Sequence, residues 1–118
     1  MIHELISRLF QARDAANLEH WNTSSDAAHR TLNKFYVDSI ELVDTFVECY
    51  QGAFGKIGIF DLEKVDYDGK IVTLLSDNAR WMNENREDIC RGVNPLLNLL
   101  DTLMELHLLI VYRLQELK

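Results

Sequence analysis

Helix breakers are scarce in this 118-residue chain, which has one proline and five glycines. That scarcity leaves few places to interrupt a helix and excludes a turn-rich, all-β pattern. Two cysteines, Cys49 and Cys90, are too few for a disulfide framework and form no CxxC motif. They read as small, buried or half-buried thiols in a reducing compartment. No uninterrupted apolar run exceeds Leu108–Tyr112, far short of the roughly 20 residues of a membrane span, so no membrane association is expected. Nor do Met1, Ile2, His3 and Glu4 read as a secretory leader, and the expected location is cytoplasmic. Basic runs are absent too. Lysine and arginine number 12 against 19 aspartates and glutamates, a formal net charge of -7. That balance argues against nucleic acid, whose binding needs cations to neutralise phosphates, and favours attraction of cations.

What the chain does have is helical periodicity. With 47% hydrophobic and 26% charged residues, it has the composition of a globular protein, and residues 1–118 read as a single domain. Ile2, Leu5, Ile6, Leu9, Ala12 and Ala16 space a first helix from about Ile2 to His20, closed by the polar turn Asn22–Asp26. A second helix starts at a Ser25 or Asp26 N-cap and runs to about Gln51, turning Leu32, Phe35, Val43, Phe46 and Tyr50 inward. Tyr36, Ile40 and Val47 widen its apolar face beyond what one small bundle needs, and an intersubunit face accounts for the surplus. Gly52, Gly55 and Gly58 open an irregular stretch to Gly69, with a short helical turn expected near Leu62. A third helix occupies about Lys70–Arg91. Gly92 suits its C-terminal cap, and Asn94-Pro95 starts a last, leucine-rich helix from Pro95 to Leu117. Four helices with a long connection between the second and third give an all-α, ferritin-like four-helix bundle as the expected fold.

The polar residues of the second helix suggest chemistry. Asp44 follows His29 by fifteen residues and Glu48 follows Asp44 by four, which puts all three on one side of a helix within about 100°. At about 1.5 Å per residue, however, His29 and Asp44 are about 22 Å apart along the axis. One copy therefore cannot join them, whereas two antiparallel copies related by a two-fold axis can. His20 closes the first helix, and a helix packed back on the second brings its imidazole to the same spot as that of His29. Two imidazoles and two carboxylates form a mixed nitrogen and oxygen set suited to iron, with zinc, cobalt or manganese as substitutes. His107, in the leucine-rich helix, reads as a hydrogen-bonded core residue, and His3 as solvent-exposed. Trp21 and Trp81 read as packing residues, with Trp21 also placed to shield a metal. Cys49 points about 100° away from Glu48 and is not counted as a ligand.

His20-Trp21-Asn22, then His29, Tyr36, Asp44 and Glu48, resembles the ferroxidase signature of the Dps family, the mini-ferritins. The resemblance is specific over roughly the first fifty residues and loose over the last helix, around Leu103, His107 and Tyr112. Two departures stand out. The interval from His20 to His29 is shorter than the family's usual one, and Cys49 stands where arginine commonly follows the glutamate. The resemblance implies a shell of twelve subunits that oxidises Fe(II) with hydrogen peroxide or dioxygen and stores Fe(III) as mineral. His20, His29, Asp44 and Glu48 would be the catalytic metal ligands, drawn from two chains. No basic terminal extension is present, so DNA binding is not carried over. The alternative is a non-catalytic helical assembly protein that keeps the fold without iron oxidation.

Overall fold

The computed structural model describes residues 1–116. Its elements are α1 (Ile2–Asn22), α2 (Asp26–Phe54), α3 (Ile71–Glu84), α4 (Arg86–Cys90) and α5 (Asn94–Glu116), and there is no strand among the described residues. The Ser25 side chain caps α2 by accepting the Ala28 N–H at 3.2 Å. With Thr23 extended just before it, the chain reverses direction within three residues. At about 1.5 Å per residue, the 29 residues of α2 run the full 43 Å length of the molecule. Gly55, at φ 96°, ends the helix in a conformation that a Cβ would strain.

Two expectations are corrected. The third helix is not continuous to Arg91, so there are five helices rather than four among the described residues. It breaks at Asn85 (φ -106°, ψ 9°), whose side-chain amide donates to the Trp81 carbonyl at 2.9 Å. A short amide side chain competing for backbone acceptors in this way loosens helical geometry. Arg86 then ties the short α4 to α5 through a two-pronged ion pair with Asp101, both contacts 2.7 Å. The helical turn expected near Leu62 is absent, because residues 55–70 hold no regular structure. The expected end of the last helix at Leu117 lies outside the described residues.

Around the core, α1 packs on α2 and α3, and α5 packs on the same two helices from the other side. The neighbours α2 and α5 run antiparallel: Phe35 meets His107 at one level and Tyr50 meets Arg91 at the other. Leu5, Leu9, Phe46, Met82 and Leu100 fill one end of the interior, and Ala16, Leu32, Phe35, Leu75 and Ile110 the other. By length and composition α5 is apolar enough to cross a membrane. In this fold its Leu96, Leu100, Leu103, Leu106 and Ile110 are buried.

The segment 55–70 returns the chain from the end of α2 to the start of α3 as a strap laid along α1. His3, Ser7 and Gln11 recur every four residues, so they form one stripe of that helix. The His3 Nε2–H donates to the Ile57 carbonyl at 2.7 Å, and Ser7 Oγ accepts the Glu63 N–H at 3.1 Å. The Gln11 amide takes both backbone groups of Val65, donating to its C=O and accepting its N–H, each at 2.9 Å. Side chains thus do for the strap what a neighbouring strand does in a sheet. At its far end Asp68 accepts from the Lys70 N–H and the Thr73 hydroxyl. The Lys70 bond is the main reason that the carboxyl sits below its ordinary range.

Gln11→Ala is expected to lower unfolding stability by about 1–3 kcal/mol, because it leaves both polar groups of Val65 without their partner. Urea denaturation measures this. Helical circular dichroism should be unchanged, while tryptic cleavage at Lys56 or Lys64 should quicken.

Candidate functional site

The short turn between α1 and α2 sets His20 directly against His29. Their rings stack with centroids 3.8 Å apart and planes 24° from parallel. Each reaches across to the other's backbone: His20 Nδ1 lies 2.7 Å from the His29 carbonyl, and His29 Nδ1 lies 2.9 Å from the His20 carbonyl. A carbonyl only accepts, so both Nδ1 atoms must carry their proton. That assignment leaves Nε2 of each neutral ring as the atom with a lone pair. Binding one imidazole nitrogen to a carbonyl is also how metal-ligating histidines are held in orientation. His29 is exposed and His20 half-buried, so the pair is open to solvent.

Asp44 and Glu48 lie far down α2, both exposed, about 22 Å and about 28 Å from His29 by helical rise. They edge a cavity of about 380 Å³ whose walls are apolar: Ile6 and Phe10 of α1, Val43 and Val47 of α2, and the strap from Ile57 to Leu62. No lysine or arginine lines it. Among the described residues, no three His, Cys, Asp or Glu side chains gather into a group that could hold a metal ion. Within one chain, then, the two imidazoles come together and the two carboxylates do not join them. By type, imidazole nitrogens and carboxylate oxygens are donors that first-row transition metals accept.

The remaining candidates fall elsewhere. His3 is exposed, and it is tied to the strap through the Ile57 carbonyl and stacked on Phe60 at 4.0 Å. Cys49 is half-buried and Cys90 buried, both free thiols. Burial pushes the Cys90 thiol up to about 11, so it stays protonated at neutral pH. Trp81 lies under the Arg8 guanidinium at 4.7 Å, whereas Trp21 projects into solvent. His107 is fully buried, donates from Nδ1 to the Leu103 carbonyl at 2.8 Å, and meets Phe35 edge-on. It is a core residue of α5, and its Nε2 has no hydrogen-bond partner. The cavity wall contributed by Ile57, Ile59, Phe60 and Leu62 is the part that sequence reasoning missed. Four large apolar residues within six positions of a glycine-broken segment were the available signal, because exposed loops seldom carry so many.

The chain belongs to DUF5856, described as a family of unknown function, whose model matches residues 20–114. That span includes His20, His29, Asp44 and Glu48. No curated protein and no solved structure matches the chain.

Desolvation holds the His107 pKa down at about 4, from an ordinary 6.5. The unfolded chain takes up that proton below about 6.5 while the folded one refuses it until about 4. Stability is therefore full above about 6.5 and is lost as pH falls toward about 4, by roughly 3 kcal/mol at about 1.4 kcal/mol per pH unit. Denaturant titrations between pH 7 and 4 should show a shallower decline for His107→Leu than for the wild type.

Proposed function

We propose that the chain is a ferritin-like protein that binds Fe(II) at sites shared between two copies and oxidises it for storage. The stacked His20–His29 pair carries this reading. Both rings are fixed by carbonyls, and both keep Nε2 for an incoming ion, as metal-ligating histidines do. The carboxylates support it. Like charges at i, i+4 are mildly destabilising on a helix, and a cation between Asp44 and Glu48 would relieve that repulsion. In a two-fold dimer, His20 and His29 of one chain would meet Asp44 and Glu48 of the other, with Glu48 the natural bridge between two ions. The antiparallel neighbours and the strap that returns the chain to the start of α3 support a bundle with a ferritin-like crossover.

In this reading the protein positions iron and stabilises the product charge. Carboxylates favour Fe(III) over Fe(II), and two adjacent ions supply the two electrons that peroxide needs. The balance is 2 Fe(II) + H₂O₂ + 2 H⁺ → 2 Fe(III) + 2 H₂O, with no hydroxyl radical released; dioxygen is the alternative oxidant. Twelve copies of the 13.7 kDa chain would make a shell of about 160 kDa, closed by repeated two-fold and three-fold contacts. A cytoplasmic location, with no nucleic acid or membrane partner, belongs to the same reading. The rival is a helical assembly protein without iron chemistry, and the short interval from His20 to His29 favours it.

Replacing both Asp44 and Glu48 by alanine decides between them. Iron oxidation, followed by the ultraviolet absorbance of Fe(III)-oxo species, should fall to the protein-free rate while the assembled mass is unchanged. Mixing this variant with His29→Ala should restore part of the activity, since each mixed dimer rebuilds one intact site. Oxidation that is absent in the wild type, or equal in every variant, would establish the rival.

A further inference from the structure

Apolar side chains are exposed on the same outer face of α1 and α2, and they complement one another. Trp21 is 69% exposed although it stands on a well-formed helix, and Ile59 is fully exposed at the tip of the strap. That tip is pinned, because the single His3 imidazole bonds the Ile57 carbonyl and stacks on Phe60, holding the chain on both sides of Ile59. Gly58, at φ 81°, supplies the turn that lets Ile57 and Phe60 face inward while Ile59 stands exposed at the cavity rim. An exposed isoleucine held at its neighbours beside an apolar cavity is a preorganised contact. Trp21 stands eleven residues beyond Phe10, a cavity wall, and so lies about 20° from it around α1.

We infer that the indole of Trp21 from a second copy of this chain fills the cavity beside Asp44 and Glu48. The inference rests on the shared-site reading, which sets the register. Pairing His29 with those carboxylates across a two-fold axis makes the two α2 helices cross midway, at Val37, and Val37 is an exposed valine on this face. The same register sets Trp21, next to His20, opposite Val47 of the second copy, which lines the cavity. Charge agrees with it. The first half of the α2 outer face carries Arg30 and Lys34 beside Asp26, and the second half carries Glu41, Asp44 and Glu48. Two antiparallel copies therefore set cations against anions, although Arg30 and Lys34 each already hold an aspartate of their own helix. The cavity volume of about 380 Å³ has room for an indole, and water excluded there strengthens every charge interaction at the neighbouring carboxylates.

The test uses metal-free protein in EDTA, so that assembly is read separately from iron. In a Trp81→Phe background the only indole is Trp21. Its emission should be blue-shifted at concentrations where sedimentation equilibrium shows a dimer or larger species. Val37→Glu, which sets two carboxylates face to face on the axis, should weaken association by about a hundredfold and return the emission to that of a water-exposed indole. Trp21→Ala should weaken association at least tenfold and leave helical content unchanged. A wild type that is monomeric at micromolar concentration, or one that assembles with Trp21 still emitting as in water, overturns the inference. Assembly with a buried Trp21 but no iron oxidation would sink the ferroxidase reading alone.

Discussion

The length of α2 is the constraint on which the rest of the fold depends. With 29 residues, this helix runs from one end of the molecule to the other, and the chain must come back along that length before α3 can begin. Residues 55–70, without a helix or strand of their own, would ordinarily leave their backbone groups to water. The stripe of His3, Ser7 and Gln11 gives four of those groups, on Ile57, Glu63 and Val65, fixed partners instead. α1 thus has three faces with three tasks: one in the core, one carrying the strap, and one beside α2 that ends in the histidine pair.

The strap also shapes the chemistry of the carboxylate end. Without it, Asp44 and Glu48 would sit on an open helix surface in full solvent. With it, they stand at the edge of an apolar hollow whose outer wall is Ile57 to Leu62. The histidine end is built by different means. There a three-residue turn and two reciprocal carbonyl bonds hold the rings without any contribution from the strap. The two halves of the proposed site are therefore structurally independent, and damage to one need not disorder the other.

The helices were legible because their signals are local. Ser25 as a cap, Gly55 as a stop and the apolar spacing of the first two helices are all properties of neighbouring residues. The break at Asn85 was not legible, because apolar spacing continues across it through Met82 and Ile89 and only the competition of one amide for a carbonyl interrupts the helix. The order of the strap was hidden for a different reason. Ser7 and Gln11 look like ordinary solvent-facing residues of an amphipathic helix, and their partners lie more than fifty positions away. Of the candidate site, the nearness of His20 and His29 follows from the length of the turn, while the apolar wall beside Asp44 and Glu48 could not be read from an aperiodic segment.

Those long separations have a consequence for the order in which the molecule forms. Ile57 and Val65 each bond to α1 across 54 positions of chain, so closing these contacts carries a loop-entropy cost that short-range helix contacts do not. The hairpin of α1 and α2 can assemble early from local contacts, with the histidine pair clasped at its turn. The hollow beside the carboxylates takes shape only after the strap has settled. A nascent chain therefore closes the outer wall of the hollow only after the inner wall, Ile6, Phe10, Val43 and Val47 of the two helices, is already in place.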